Sequence, residues 1–270
     1  MPVNQRTFNR IAEGIKKFQP LVASAKSRDI NESDTVVLLM GILSDVLGYD
    51  RYAEITTEKA VKGTYCDLAL KLEGKIRVLI EAKAINVELK EAHVKQAVDY
   101  AANDGIDWVV LTNGVNWKIY KILFTKPIQN ILTCEFDFLN LKHRDETDLE
   151  KIALLSKEAT VKEALEDYFS QRQALSRFML GNLLFEEGVV GQIRKELKQV
   201  YPDLKVSKEE IARILANEVV KREIIDGEDA IEAKKKIAKA NRKIERQKGE
   251  RAKEETITPV IENKDSSQMN

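Results

Sequence analysis

Two neighbouring stretches constrain this chain most: Tyr65-Cys66-Asp67-Leu68-Ala69-Leu70-Lys71-Leu72 and Ile76-Arg77-Val78-Leu79-Ile80-Glu81-Ala82-Lys83, separated by Glu73-Gly74-Lys75. Each reads as a β-strand, with Leu68, Leu70 and Leu72 forming one apolar face and Ile76, Val78 and Ile80 the other. In an antiparallel pair, residues directly opposite point to the same side, so the two apolar faces must coincide. The simplest register is a three-residue loop centred on Gly74, pairing Leu72 with Ile76, Leu70 with Val78 and Leu68 with Ile80. That register sets Asp67 opposite Glu81 on the other face, with Lys83 further along the same side.

Like charges directly across a ladder destabilise it. Two physical readings stand. A divalent cation offsets the repulsion, and two carboxylates with water and a backbone carbonyl suit magnesium or manganese. Lys83 then orients or deprotonates a water. Alternatively, the charges are the solvated face of an edge hairpin, neutralised by Lys71, Arg77 and Lys83 without any metal.

The surrounding pattern is α–β–β–α–β–β. Asn31-Glu32-Ser33-Asp34 caps a helix over about 32–47, ending at Gly48. A second helix is expected over about 87–103, and strands over 108–112 and 117–122 flank the Asn113-Gly114 turn. A further short strand is expected over 131–136. From about 145 the apolar spacing is helical only. The expected organisation is an α/β sandwich domain over 1–142, a helical domain over 143–227, and a charged helical or disordered tail over 228–270.

The totals exclude several classes. With 43% hydrophobic residues the chain can bury a core, while zero formal net charge denies any argument from overall basicity to nucleic acid. A nucleic-acid contact must therefore be local, and Lys234–Lys253 offers one, with ten Lys or Arg against two Glu. The competing reading of that run is a solvated helix. No apolar run suits a membrane span, and Met1–Phe18 lacks the apolar centre of a secretory signal. Cys66 and Cys134 form no disulfide or zinc pattern, which suits a cytoplasmic protein with reduced thiols. Two distant histidines, His93 and His143, supply no histidine-centred metal site. No phosphate-binding loop of the Gly-x-x-x-x-Gly-Lys-Ser/Thr type occurs, so no nucleotide-driven motor is expected.

Asp67, thirteen intervening residues, then Glu81-Ala82-Lys83 resembles the PD-(D/E)XK nuclease motif. Leu47-Gly48-Tyr49-Asp50, Gln96-Ala97-Val98-Asp99-Tyr100 and Leu111-Thr112-Asn113-Gly114 fall in the order seen in the N-terminal nuclease domain of type I restriction R subunits. Small relatives labelled type IV restriction endonucleases show a similar pattern. The resemblance covers roughly residues 30–125, and Cys66 stands where the motif often has proline. It implies a restriction-endonuclease-like αββαββ sandwich core followed by an all-helical C-terminal region. It also implies that Asp67, Glu81 and the Ala82 carbonyl hold Mg2+ (or Mn2+), that Lys83 is the catalytic lysine, and that Gln96 and Tyr100 form an accessory motif.

Gln96 and Tyr100, four apart, are expected on one helix face with His93. Glu32 matches a further acidic position near the metal, although a first-turn glutamate also suits the helix dipole. Glu54 and Glu58 are weaker candidates of the same kind. The expected function is Mg-dependent DNA cleavage of restriction or phage-defence type, with DNA and either a second copy or other defence subunits as partners. The alternative is a non-cleaving nucleic-acid-binding or regulatory subunit that keeps the fold.

Overall fold

The protein is described by a computed structural model covering residues 3–61 and 64–255, with backbone alone for 58–61, 64–65 and 248–255. It divides into two compact units, Met1–Arg172 and Gln173–Asn270. Among the described residues no helix is long and apolar enough to cross a membrane.

The first unit is built on six strands, β1 (Ile55–Val61), β2 (Thr64–Leu72), β3 (Lys75–Ala82), β4 (Trp108–Thr112), β5 (Asn116–Leu123) and β6 (Gln129–Asp137), lying in chain order across one sheet. All neighbours are antiparallel except β3 and β4, which run parallel because α3 (Glu91–Asp104) crosses between them. Two helices precede the sheet: α1 (Gln5–Ser27) and α2 (Glu32–Gly41), the latter continuing through a π turn, Ile42–Val46. The expected αββαββ order is therefore present, extended by α1, β1 and β6.

Both faces of the sheet are covered. Leu68, Leu70, Val78, Ile80, Val110 and Ile119 pack with Phe8, Ile11, Ile15, Phe18 and Val22 of α1 and with Leu39, Ile42 and Leu43. The opposite face, with Ala69, Leu79, Val109, Leu111 and Ile122, packs with Val94, Ala97 and Ala101 of α3. The α1 contacts recur at alternating steps of three and four, the seam of an amphipathic helix. Arg10 of α1 donates to the carbonyls of Val46 and Leu47 at the end of the second helix, 3.0 and 3.1 Å away. The guanidinium lies against Gly48, whose φ of +85° and lack of a Cβ admit that approach.

The hairpin corrects the expected loop. Leu68 pairs with Ile80 and Leu70 with Val78 as expected, but Leu72 pairs with Lys75 through the two-residue turn Glu73-Gly74. Both turn residues have positive φ, +52° and +75°, as tight hairpin turns require. Carried onward, that turn would set Leu70 opposite Arg77 and put the apolar faces on opposite sides. A register shift between Leu70 and Lys71 removes the mismatch. Arg77 is the extra residue of this β-bulge.

The first unit also takes in α4 (Glu146–Ala153), α5 (Lys157–Val161) and most of α6 (Ala164–Ala174). Ile152, Leu154, Leu155 and Leu165 are buried in its main core. That burial is why the division falls at 172/173 and not after 142.

The second unit is helical: α7 (Arg177–Leu183), α8 (Glu187–Val200), α9 (Lys208–Ile214) with a π turn at Leu215–Val219, α10 (Arg222–Ile225) and α11 (Glu228–Glu255). Helix α7 packs on α10 and α11, and α8 on α9. Asn182 ties α7 to α10 by donating to the carbonyl of Ile224 at 3.1 Å. Because α11 packs within this unit, 228–255 does not stand apart as a tail; the rest of the expected tail, 256–270, lies outside the described residues.

Candidate active site

Strand β3 ends in Glu81-Ala82, and its parallel pairing with β4 carries the chain to Lys83, whose backbone N–H donates to the Thr112 carbonyl at 2.9 Å. On its other side β3 loses its partner: regular pairing with β2 stops at Leu68–Ile80. The Asp67 carboxylate takes up the freed donor, accepting from the Ala82 backbone N–H at 2.7 Å. Asp67 is thus fixed by the backbone of the strand that carries Glu81 and Lys83.

Glu81 is only 3% exposed, since α3 covers this face of the sheet. The solvated-edge reading therefore fails for this residue. Of the three basic residues expected to neutralise the acids, Lys83 does so. Its ammonium lies 2.7 Å from Glu81 Oε1, 2.7 Å from the Ala82 carbonyl and 3.5 Å from Glu32 Oε2. Glu32, in the first turn of α2, is brought here because Ile85 N–H donates to the Ile30 carbonyl just before that helix. The structure brings Glu32, Asp67, Glu81 and Lys83 together, and the Ala82 carbonyl is engaged by the lysine.

The electrostatics follow from this crowding. Burial, joined by repulsion from Asp67 and Glu32, outweighs the Lys83 hydrogen bond and raises the Glu81 carboxyl above the ordinary glutamate range. Burial pulls the Lys83 ammonium down, but the Glu81, Glu32 and Asp67 carboxylates outweigh it and leave its pKa raised. Lys83 is therefore held protonated.

Glu81 Oε2 is buried and has no hydrogen-bond partner among the described residues. A buried carboxylate oxygen in that state is costly, and a cation on it removes the cost. The Lys83 ammonium, held among three oxygens, already shows that the site accepts positive charge. The donor set is all oxygen, as magnesium prefers. Among the described residues no group of three His, Cys, Asp or Glu side chains forms a complete metal cage. Two carboxylates with water suffice for magnesium, which keeps much of its hydration and takes substrate phosphate oxygens.

The remaining candidates lie in differing surroundings. Gln96 is exposed on α3, whereas Tyr100, four residues on, is fully buried in the core between α3 and the sheet. The helix spacing is as expected, but the two side chains do not share an environment. The Tyr100 hydroxyl is pushed up to about 12, first by burial and then by the charges of Asp104 and Cys66. His93 accepts from the Lys90 N–H at 3.3 Å, a capping contact at the start of α3. Glu54 pairs with Lys157 at 2.6 Å and accepts from Asp50 N–H, so it is a structural anchor. The Glu58 side chain lies outside the described residues.

The residues that brace the site were not singled out as functional. Asn113 donates to the Val87 carbonyl at 2.9 Å and accepts from Val115 and Asn116 N–H, shaping the turn after β4. Asn113-Gly114 in the sequence signals the turn, but nothing there signals the contact with Val87.

No curated protein and no solved structure matches the chain. Residues 38–132 match the family model described as type I restriction enzyme R protein N terminus (HSDR_N), a span of about a third of the chain that contains Asp67, Glu81 and Lys83.

Proposed function

We propose that this chain is a divalent-metal-dependent deoxyribonuclease of restriction or phage-defence type. The observation that carries the reading is the convergence of Asp67, Glu81 and Lys83 at the point where β2 and β3 part, with one Glu81 oxygen buried and unpartnered. The match over 38–132 supports a restriction-related role for the same segment.

Asp67 and Glu81 would hold Mg2+ (or Mn2+), with the Ala82 carbonyl available once Lys83 moves off it. When bound, the metal supplies Lewis-acid stabilisation of charge on a phosphate and lowers the pKa of bound water. The Glu81 and Asp67 carboxylates bring negative charge to one point and remain in place through the Ala82 N–H and the Lys83 ammonium. Lys83, kept protonated by its three carboxylate neighbours, is suited to orient the attacking water or a phosphate oxygen by donating hydrogen bonds. Proton abstraction by Lys83 would require its neighbours' charge to be neutralised first. Glu32 tunes the lysine through space.

The experiment is cleavage of plasmid DNA with Mg2+ by the wild type and by Lys83→Ala. Loss of nicking in the variant supports the assignment. Equal activity in both removes it, and metal-dependent DNA binding without nicking by the wild type favours a regulatory subunit instead.

A further inference from the structure

The chain as a whole is electrically neutral, yet α11 concentrates positive charge on one side. Over Lys234–Gln247 there are seven Lys or Arg against one acid, Glu245. Ala230, Ala233 and Ile237 are buried, and α11 packs on α7 and α10 within its own unit. At about 100° per residue, Lys235, Lys236, Lys239, Arg242, Lys243 and Arg246 fall within an arc of roughly 120° on the side away from those buried residues. All six are exposed. Among the described residues only Lys236 has an acidic partner on the helix, Glu232 at 2.9 Å. At about 1.5 Å per residue the row spans about 17 Å of helix axis.

We infer that this face of α11 is a sequence-independent binding track for the phosphate backbone of duplex nucleic acid. Long, exposed cations at this spacing match closely spaced phosphates and gain affinity by releasing counterions. The apolar side of α11 that a membrane-surface helix would insert, with Ala230, Ala233 and Ile237, is already buried within its own unit. All six positions are Lys or Arg, with no Asn, Gln, Asp or Glu among them to vary the pattern offered to base edges, so the contact positions the duplex without specifying sequence. The inference deepens the nuclease reading by giving the substrate a holding surface separate from the acidic cluster, but the binding itself does not require that cluster to work.

The test uses the full chain in EDTA, with fluorescence anisotropy of a labelled duplex of arbitrary sequence over a salt titration. The variant is Lys236→Gln, Lys239→Gln, Lys243→Gln and Arg246→Gln together, which keeps good helix formers at exposed positions. Circular dichroism checks that helix content is kept. The expected result is wild-type binding that weakens steeply with salt, and a loss of tenfold or more in the variant at low salt. Neutralising four contacts should make the slope of log affinity against log salt shallower by about 3 to 4. Binding in EDTA reads the track with Lys83 intact, and cleavage by Lys83→Ala in Mg2+ reads the acidic cluster, which separates failure of the track from failure of the nuclease reading. Unchanged affinity and slope in the quadruple variant, or capture by anionic phospholipid vesicles without duplex binding, would overturn the inference.

Discussion

Replacing Glu81 by glutamine should leave the fold about as stable as before while abolishing its response to magnesium. In the metal-free protein the substitution has opposing effects. It removes the charge from the acceptor of the Lys83 hydrogen bond at 2.7 Å, which a glutamine carbonyl still accepts, and a bond to a charged group contributes about 1.5–3 kcal/mol. It also removes a buried anion that has one oxygen without a partner, a cost of about 1–3 kcal/mol, and relieves repulsion from Asp67. Lys83 is not stranded, since it keeps the Ala82 carbonyl at 2.7 Å and Glu32 at 3.5 Å. The two sides cancel to within about 1 kcal/mol by these magnitudes. In the wild type, magnesium at ten times its dissociation constant should add about 1.4 kcal/mol. For a body of this size that raises the melting temperature by about 3–6 °C.

The assay is thermal unfolding followed by tryptophan fluorescence, with MgCl2 against KCl at matched ionic strength. Both tryptophans, Trp108 and Trp117, are buried in the first unit, so the signal reports on the body that carries the site. The wild type should be stabilised by magnesium, and Glu81→Gln should shift by less than about 1 °C. An equal magnesium shift in both proteins would mean that the ion acts elsewhere, and the argument from the unpartnered oxygen would fall.

Three further outcomes follow from the same structure. Cys66 and Cys134 are both buried, and burial pushes the Cys66 thiol up to about 12, so neither should react with a thiol reagent at mildly alkaline pH until denaturant is added, when both should. Arg10→Met should cost about 2–4 kcal/mol in denaturant unfolding, because it removes two backbone hydrogen bonds and the paired bonds to Glu158. The Arg10 side chain holds the Glu158 carboxyl below its ordinary 4.5; that contribution is present above the unfolded pKa and lost as pH falls through the folded one, so the variant should lose less further stability on acidification below 4.5 than the wild type. Lys121→Met should change stability by no more than about 1 kcal/mol, measured by the same unfolding, because a buried ammonium is replaced by an apolar chain of similar length while its partners Glu166 and Asp107 are exposed enough to rehydrate.

The limits of the sequence reading have local causes. Alternation located β2 and β3 and set the parity of their pairing, because a one-residue slip would turn every leucine outward. It could not choose between a three-residue loop and a two-residue turn with a bulge, since both satisfy that parity. The apolar spacing of Phe8, Ile11, Ile15, Phe18, Val22 and Ala25 was present for α1, but Pro20 and the interspersed charges obscured it. Strand β1, with Ile55-Thr56-Thr57-Glu58, carries too weak an alternation to stand out from a loop. On α3, spacing placed Gln96 and Tyr100 on the same side, yet one is exposed and the other buried. A difference of that kind arises where a helix face passes from solvent to core, and spacing alone does not locate that edge.

The acidic site itself shows what a spacing motif leaves out. Asp67 and Glu81 were legible as facing carboxylates, but simple continuation of the ladder would have placed Asp67 in a regular pair. The structure ends the pairing one residue earlier and uses the Asp67 carboxylate as the acceptor for Ala82 N–H. This substitution of side chain for backbone holds one carboxylate beside the other despite their repulsion, and it leaves Glu81 buried with an oxygen to spare. The strand break and the unpartnered oxygen are therefore one feature: a ladder that continued would have satisfied its own hydrogen bonds and left less reason for a cation.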